Sequence, residues 1–177
     1  QDSKGWVRLG YDGAVKTNEW CVNEKGWCFV GEDGYMVTNC WKKDYKGWIW
    51  LDSEGYMTKN QLINDGNKWY YCDMRGYMVT NQWLYDSYGY IRAGKDGAVL
   101  FDEWIEFKGN WYYVGTDGYM VIDQWIFDSV GYVKMGEDGA MLFNKWVQTD
   151  GEWYYVGADG YAVYNKWMKD SKGWVYL

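Results

Sequence analysis

Every tryptophan of the 177-residue chain except Trp50 falls in one of two phases of a single register. One phase holds Trp20, Trp41, Trp83, Trp104, Trp125, Trp146 and Trp167, with Leu62 in the remaining place. Seven residues after each stands a second large ring: Trp27, Trp48, Trp69, Tyr90, Trp111, Tyr132, Trp153 and Trp174, with Trp6 opening the series. Indole faces carry negative π density, so three rings around a cavity bind a quaternary ammonium, worth about 2 kcal/mol at a desolvated site. Laid flat, the same rings stack on the apolar faces of sugars. Rings are also what small repeats use to bury area, so both columns serve equally well as glue between units. A site made once in such a register is made several times, and a weak contact repeated along a polymer becomes avidity.

The elements that must position these rings keep the same period. Gly13, Gly34, Gly55, Gly76, Gly97, Gly118, Gly139 and Gly160 stand 21 residues apart. A fixed period in this range marks an array of small units, none able to bury its inner face alone. From residue 110 to 125 the chain reads NWYYVGTDGYMVIDQW. Aromatic and β-branched runs on both sides of Gly-x-Asp-Gly predict a β-hairpin with Asp-Gly in its tight turn. The six residues between each second-strand tryptophan and the next ring, as in 42–47, read as a polar loop. Strand alternation then turns two mostly aliphatic columns inward. One runs Val7, Cys28, Ile49, Tyr70, Ile91, Tyr112, Val133, Tyr154, Val175. The other runs Leu9, Val30, Leu51, Cys72, Ala93, Val114, Met135, Val156, Leu177. The opposite face carries the rings and a column of Arg8, Phe29, Trp50, Tyr71, Arg92, Tyr113, Lys134, Tyr155 and Tyr176. The expected fold is all-β, a solenoid of stacked β-hairpins with a 21-residue repeat and little or no helix. Residues 1–177 form one array of about eight units.

Two unit types alternate in the second half. Trp-Tyr-Tyr strands start at Trp69, Trp111 and Trp153. The units between carry Arg92 and Lys134 in the outer column and Ala98 and Ala140 after their turns. Duplication of a two-unit block accounts for this as well as any functional seam does. The opening residues, from Gln1 to Val7, match Lys169 to Val175, so both ends are typical units, not caps. The chain is therefore expected to be an excerpt of a longer protein, and its lack of a signal peptide is read the same way.

Composition removes several classes of function. There is no His, so the usual metal ligand and neutral-pH general base are missing. No lone serine sits in a nucleophile setting, and no carboxylate pair stands outside the repeated turns. No catalytic residue, cofactor or metal site is expected. A net charge of −7 argues against nucleic acid or an anionic membrane as partner. No stretch is apolar enough to span a bilayer. The turn aspartates lack the partner carboxylates of a calcium loop. Cys21, Cys28, Cys40 and Cys72 form no CxxC pair. They read as buried thiols or as one disulfide of unassigned pairing.

The segments 109–120, 151–162 and 67–72, with their spaced rings and turn glycines, resemble the choline-binding or cell-wall-binding repeats of Gram-positive bacteria and their phages. Related repeats occur in glucan-binding and clostridial toxin proteins. The resemblance implies a ligand held between consecutive hairpins by two tryptophans of one unit and an aromatic of the next, with a methionine nearby. It points to the pairs Trp20 and Trp27, Trp41 and Trp48, Trp104 and Trp111, Trp146 and Trp153, and Trp167 and Trp174. It makes Tyr71, Tyr113, Tyr155 and Tyr176 candidates for the third wall, and Met36, Met57, Met78, Met120 and Met141 the methionines. Leu62 removes one wall beside Trp69, and Arg92 or Lys134 would repel a bound cation. The implied function is a non-catalytic module that anchors a secreted protein to the bacterial cell surface. Its partners would be choline or a teichoic-acid-type polymer, or a cell-surface glycan. The alternative is a structural spacer or fibre, associating end to end, whose rings are only core.

Overall fold

A computed structural model describes residues 4–177. Of the opening match to the distal unit, Gln1, Asp2 and Ser3 lie outside the described residues. The described chain is strand and turn, without helix. Two-stranded sheets follow one another, each built from strands adjacent in sequence. They pair β1 (Glu19–Asn23) with β2 (Gly26–Val30), β3 (Cys40–Lys43) with β4 (Trp48–Leu51), and β5 (Gln61–Asn64) with β6 (Trp69–Cys72). Next come β7 (Gln82–Tyr85) with β8 (Tyr90–Ala93), β9 (Glu103–Phe107) with β10 (Asn110–Val114), and β11 (Trp125–Phe127) with β12 (Tyr132–Lys134). The last are β13 (Lys145–Thr149) with β14 (Glu152–Val156), and β15 (Trp167–Lys169) with β16 (Trp174–Tyr176). This is the expected all-β hairpin solenoid. The chain groups into two compact units: the described residues up to Leu84 with Ala93–Val99, and Tyr85–Arg92 with Leu100–Leu177.

The hairpins do not turn where the glycine ruler places them. Trp104 pairs with Tyr113, Ile105 with Tyr112, and Phe107 with Asn110. The polar link between each tryptophan and the following ring is thus the hairpin turn itself. Lys108 and Gly109 have φ of 52° and 80°, and Asp150 and Gly151 have φ of 53° and 87°. Positive φ at both central residues is the tight turn that matches strand twist. The reason for the shift is a column of left-handed residues. Asn18, Asn39, Asn60, Asn81, Asp102, Asp123, Asn144 and Asn165 all have φ between 47° and 55°. Asn and Asp tolerate that region better than other side chains with a Cβ. A run leaving Gly-x-Asp-Gly is therefore kinked two residues before the tryptophan and cannot continue into it as one strand. From Asn18 to Asn144 the kinked residue closes the mouth of its hairpin, as when Asp102 N–H donates to Gly115 O at 3.0 Å.

Gly-x-Asp-Gly remains a turn, and it is what stacks the hairpins. Gly118 has φ of 83°, and its N–H donates to Gly115 O at 2.9 Å. The residue two positions after each ruler glycine reaches back to the hairpin one earlier. Met57 N–H donates to Trp27 O at 2.8 Å, and Met141 N–H to Trp111 O at 2.8 Å. The methionine side chains fill the space over the next turn: a methyl group added at Gly76 would run into Met57 Sδ, and one at Gly139 into Met120 Sδ.

The inward columns form the core. Leu51, Cys72, Ala93, Val114, Met135 and Val156 are fully buried, and Cys28, Ile49, Ile91 and Val133 nearly so. Leu9 and Tyr154, from the same columns, stay exposed. Arg92 and Lys134, expected on the ring face, are instead among the buried residues. Lys134 Nζ binds Asp123 through Oδ1 at 2.8 Å and the backbone carbonyl at 2.9 Å, which satisfies a charge that burial would otherwise penalise. Cys21 and Cys28 form a disulfide directly across the first hairpin. Cys72 remains a buried thiol, and burial pushes its pKa up to about 11.

Candidate functional site

The second ring of each unit meets water. Trp27, Trp48, Trp69, Tyr90, Trp111, Tyr132, Trp153 and Trp174 are all between 41% and 65% exposed. The first-phase tryptophans are mostly half-buried, and five of them lean on a ring of their own hairpin. Trp20 meets Phe29 at 5.2 Å, Trp41 meets Trp50 at 5.2 Å, and Trp104 meets Tyr113 at 5.0 Å. Trp146 meets Tyr155 at 5.2 Å and Trp167 meets Tyr176 at 5.4 Å. Such edge-on or tilted pairs suit the ring quadrupole. Glue and platform are thus divided between the two columns.

In the second unit a half-buried indole and an exposed one converge. Trp104 of β9 and Trp111 of β10 open onto a cleft of about 320 Å³. Its far side is Met141 and Phe143, from the turn that docks on β10, with Asp128, Asp159 and Tyr161 completing it. No Lys or Arg lines it. Asp128 belongs to the loop between β11 and β12, and its Oδ1 accepts the N–H groups of Val130 at 2.7 Å and Gly131 at 3.0 Å. Its Oδ2 accepts the Tyr161 hydroxyl at 2.9 Å. The Gly131 and Val130 amides hold the Asp128 carboxyl below the usual carboxylate range, with the Tyr161 hydroxyl adding to them. The same bond to Asp128, together with burial, raises the Tyr161 phenol, so it stays a donor. The arrangement presents two π faces and two carboxylates to one small volume, which is the chemistry of an ammonium receptor.

The structure thus brings Trp104, Trp111 and Met141 together. Tyr113, Tyr155 and Tyr176 lie on the tryptophans of their own hairpins, and the Tyr71 hydroxyl donates to Asn60 at 2.7 Å. Met120 packs over the Gly139 turn. Trp27, Trp48, Trp153 and Trp174 present exposed faces, and Lys43 Nζ sits 5.6 Å from the Trp48 ring centre. Asp128, Phe143, Asp159 and Tyr161 escape a reading by period alone. For Asp128 and Tyr161 the signal is a spacing of 33: Tyr77 binds Asp44, Tyr119 binds Asp86 and Tyr161 binds Asp128, each at 2.9 or 3.0 Å. A larger hollow of about 830 Å³ in the first unit holds Lys4, Arg8 and Lys25 beside a single indole, Trp6. Tyr56 is its other ring, so it lacks the paired indoles of the Trp104 cleft.

Residues 60–78, 102–120 and 144–162 match the choline-binding family model described as "Putative cell wall binding repeat". The choline-binding domain of CbpL from Streptococcus pneumoniae is similar at 26% identity and a TM-score of 0.73, over 94% of this chain and 86% of that one. Choline binding protein F from Streptococcus pneumoniae is similar at 26% identity and a TM-score of 0.63, over 92% of this chain but 58% of that one. A second structure of protein F, determined with a peptidoglycan analogue, matches at 26% identity and a TM-score of 0.63, over 93% and 59% of the two chains. No curated protein sequence matches the chain significantly.

Proposed function

The chain carries cell-wall-binding repeats of the choline-binding family, and from that premise we propose that it is a non-catalytic module holding a secreted protein on a Gram-positive surface. It does so by binding choline groups of a wall polymer. The observation that carries this is the joint lining of one cleft by Trp104, Trp111, Asp128 and Asp159. A neutral sugar would stack on the rings and donate hydroxyls to the carboxylates, whereas a trimethylammonium group adds attraction between opposite charges to its contact with the rings. The similarity to pneumococcal choline-binding domains supports the same choice. Two partly exposed rings at about 1 kcal/mol each and a nearby carboxylate at about 1 kcal/mol in water place a single site near the millimolar range. Attachment then depends on several such contacts along one polymer.

Calorimetric titration of the whole chain with choline chloride tests the proposal. Millimolar binding is expected, with the Trp104 site lost in Trp104→Ala and no competition from neutral monosaccharides. Silence with choline at tens of millimolar, or displacement by a neutral sugar, would overturn it.

A further inference from the structure

The Trp104 cleft has a counterpart in the first unit with the same backbone frame and a different ending. Trp41, Trp48, Asp65, Met78 and Asp96 stand where Trp104, Trp111, Asp128, Met141 and Asp159 stand, 63 residues on. The docking bond is the same: Met78 N–H donates to Trp48 O at 2.8 Å. Thr80 stands in the place of the wall residue Phe143, and three further positions differ. Tyr70 replaces Val133, Ala98 replaces Tyr161, and Lys68 replaces Gly131.

These differences are coupled. Tyr70 and Ala98 face each other across one β-bridge, and Val133 and Tyr161 face each other across the equivalent bridge. A large side chain and a small one have traded sides. When the ring belongs to the turn, as in Tyr161, it bonds Asp128 and stands as a wall. When it belongs to the hairpin, as in Tyr70, it meets Trp41 edge-on at 5.1 Å and 71°. Asp65, left without a tyrosine partner, accepts the Trp41 indole N–H at 3.3 Å. Lys68 Nζ sits 2.9 Å from Asp96 Oδ2, so this cleft brings its own cation to its own carboxylate. The hairpin tyrosine recurs in the second unit, with Thr149 in the place of Asp65 and Glu152 in the place of Lys68. Tyr154 meets Trp125 at 5.4 Å and 65°, and Lys134 Nζ lies 6.0 Å from the Trp125 ring centre.

We propose that Tyr70 and Tyr154 are built-in occupants of the clefts at Trp41 and Trp125, and that the bridge pair decides which clefts admit a quaternary ammonium. A hairpin aliphatic with a turn tyrosine leaves a cleft open; a hairpin tyrosine with a turn alanine closes it. This rests on the ammonium reading of the Trp104 cleft.

The test is calorimetric titration of the full chain with choline chloride, reading the number of sites. Lys68→Gly/Tyr70→Val/Ala98→Tyr rebuilds the open arrangement at Trp41 and is expected to add one site per chain. The reciprocal variant, Val133→Tyr/Tyr161→Ala, is expected to lose one site while keeping a single cooperative unfolding transition. A folded first variant with the parent's site number overturns the proposal. If that variant does not fold, the reciprocal one decides: an unchanged site number in it overturns the proposal equally. A parent chain that gives no heat with choline refutes the reading of Trp104 instead, a result distinguishable because it appears before any substitution.

Discussion

Asp128 uses its two oxygens for different tasks. Oδ1 is held by the Val130 and Gly131 amides, and Oδ2 by the Tyr161 hydroxyl. These donors favour the ionised form, so the carboxyl titrates below its ordinary 3.8. The sign follows: the charge is complete above 3.8 and is lost only as pH falls through the lower, folded value. Choline affinity should therefore be flat from pH 8 to pH 5 and drop only under more acid conditions. Asp128→Asn keeps an acceptor for the loop amides and removes the charge. One charge a few ångströms from an ammonium in water contributes about 1 kcal/mol, so the variant should bind about fivefold more weakly at pH 7. Titration calorimetry over this pH range checks both statements, and an Asn variant that binds as tightly as the parent would dismiss the carboxylate.

At the scale of the hairpin, the period alone was enough to place the units and their two ring columns, Trp104 and Trp111 among them. It left two turn-rich connections per unit, Gly-x-Asp-Gly and the polar link, and either reads as the hairpin loop. The decision rests on φ at Asp102 and its relatives, a backbone property that composition signals weakly. The far wall of the cleft was hidden for a related reason. Asp128, Phe143 and Tyr161 reach Trp104 only through the offset at which turns dock on earlier hairpins, and Met141 N–H to Trp111 O is where that offset is written. The tight turns themselves are open to a stability test. Lys108 occupies the left-handed region with φ of 52°, which costs an ordinary side chain about 1–2 kcal/mol. Asp150, in the matching turn, has φ of 53° and suits it better. Lys108→Asn should raise the urea midpoint with an unchanged m-value, by up to about 1 kcal/mol, while Asp150→Lys should lower it.

Across the whole chain, the open arrangement with an indole in both ring positions occurs once within each compact unit. Trp20, Trp27, Asp44, Met57 and Tyr77 stand 84 residues before Trp104, Trp111, Asp128, Met141 and Tyr161. The bonds repeat too: Tyr77 hydroxyl to Asp44 at 2.9 Å, and Met57 N–H to Trp27 O at 2.8 Å. The hairpin residue is aliphatic in both, Ile49 and Val133, and both are buried. What differs is the rim. Lys59 stands in the place of Phe143, and Arg75 in the place of Asp159. Arg75 is tied to Asp73 at 2.8 Å, which offsets its charge only in part because the guanidinium is exposed to solvent. Two cations thus replace a ring and a carboxylate beside the same pair of indoles, and like charge disfavours an ammonium guest. The titration of the parent chain should therefore resolve two unequal classes of site. Trp104→Ala should remove the tighter and Trp20→Ala the weaker. Lys59→Phe/Arg75→Asp should bring the weaker class toward the tighter. A single class that survives either tryptophan substitution intact would mean that the rim residues do not set the affinity and that the ammonium is held elsewhere.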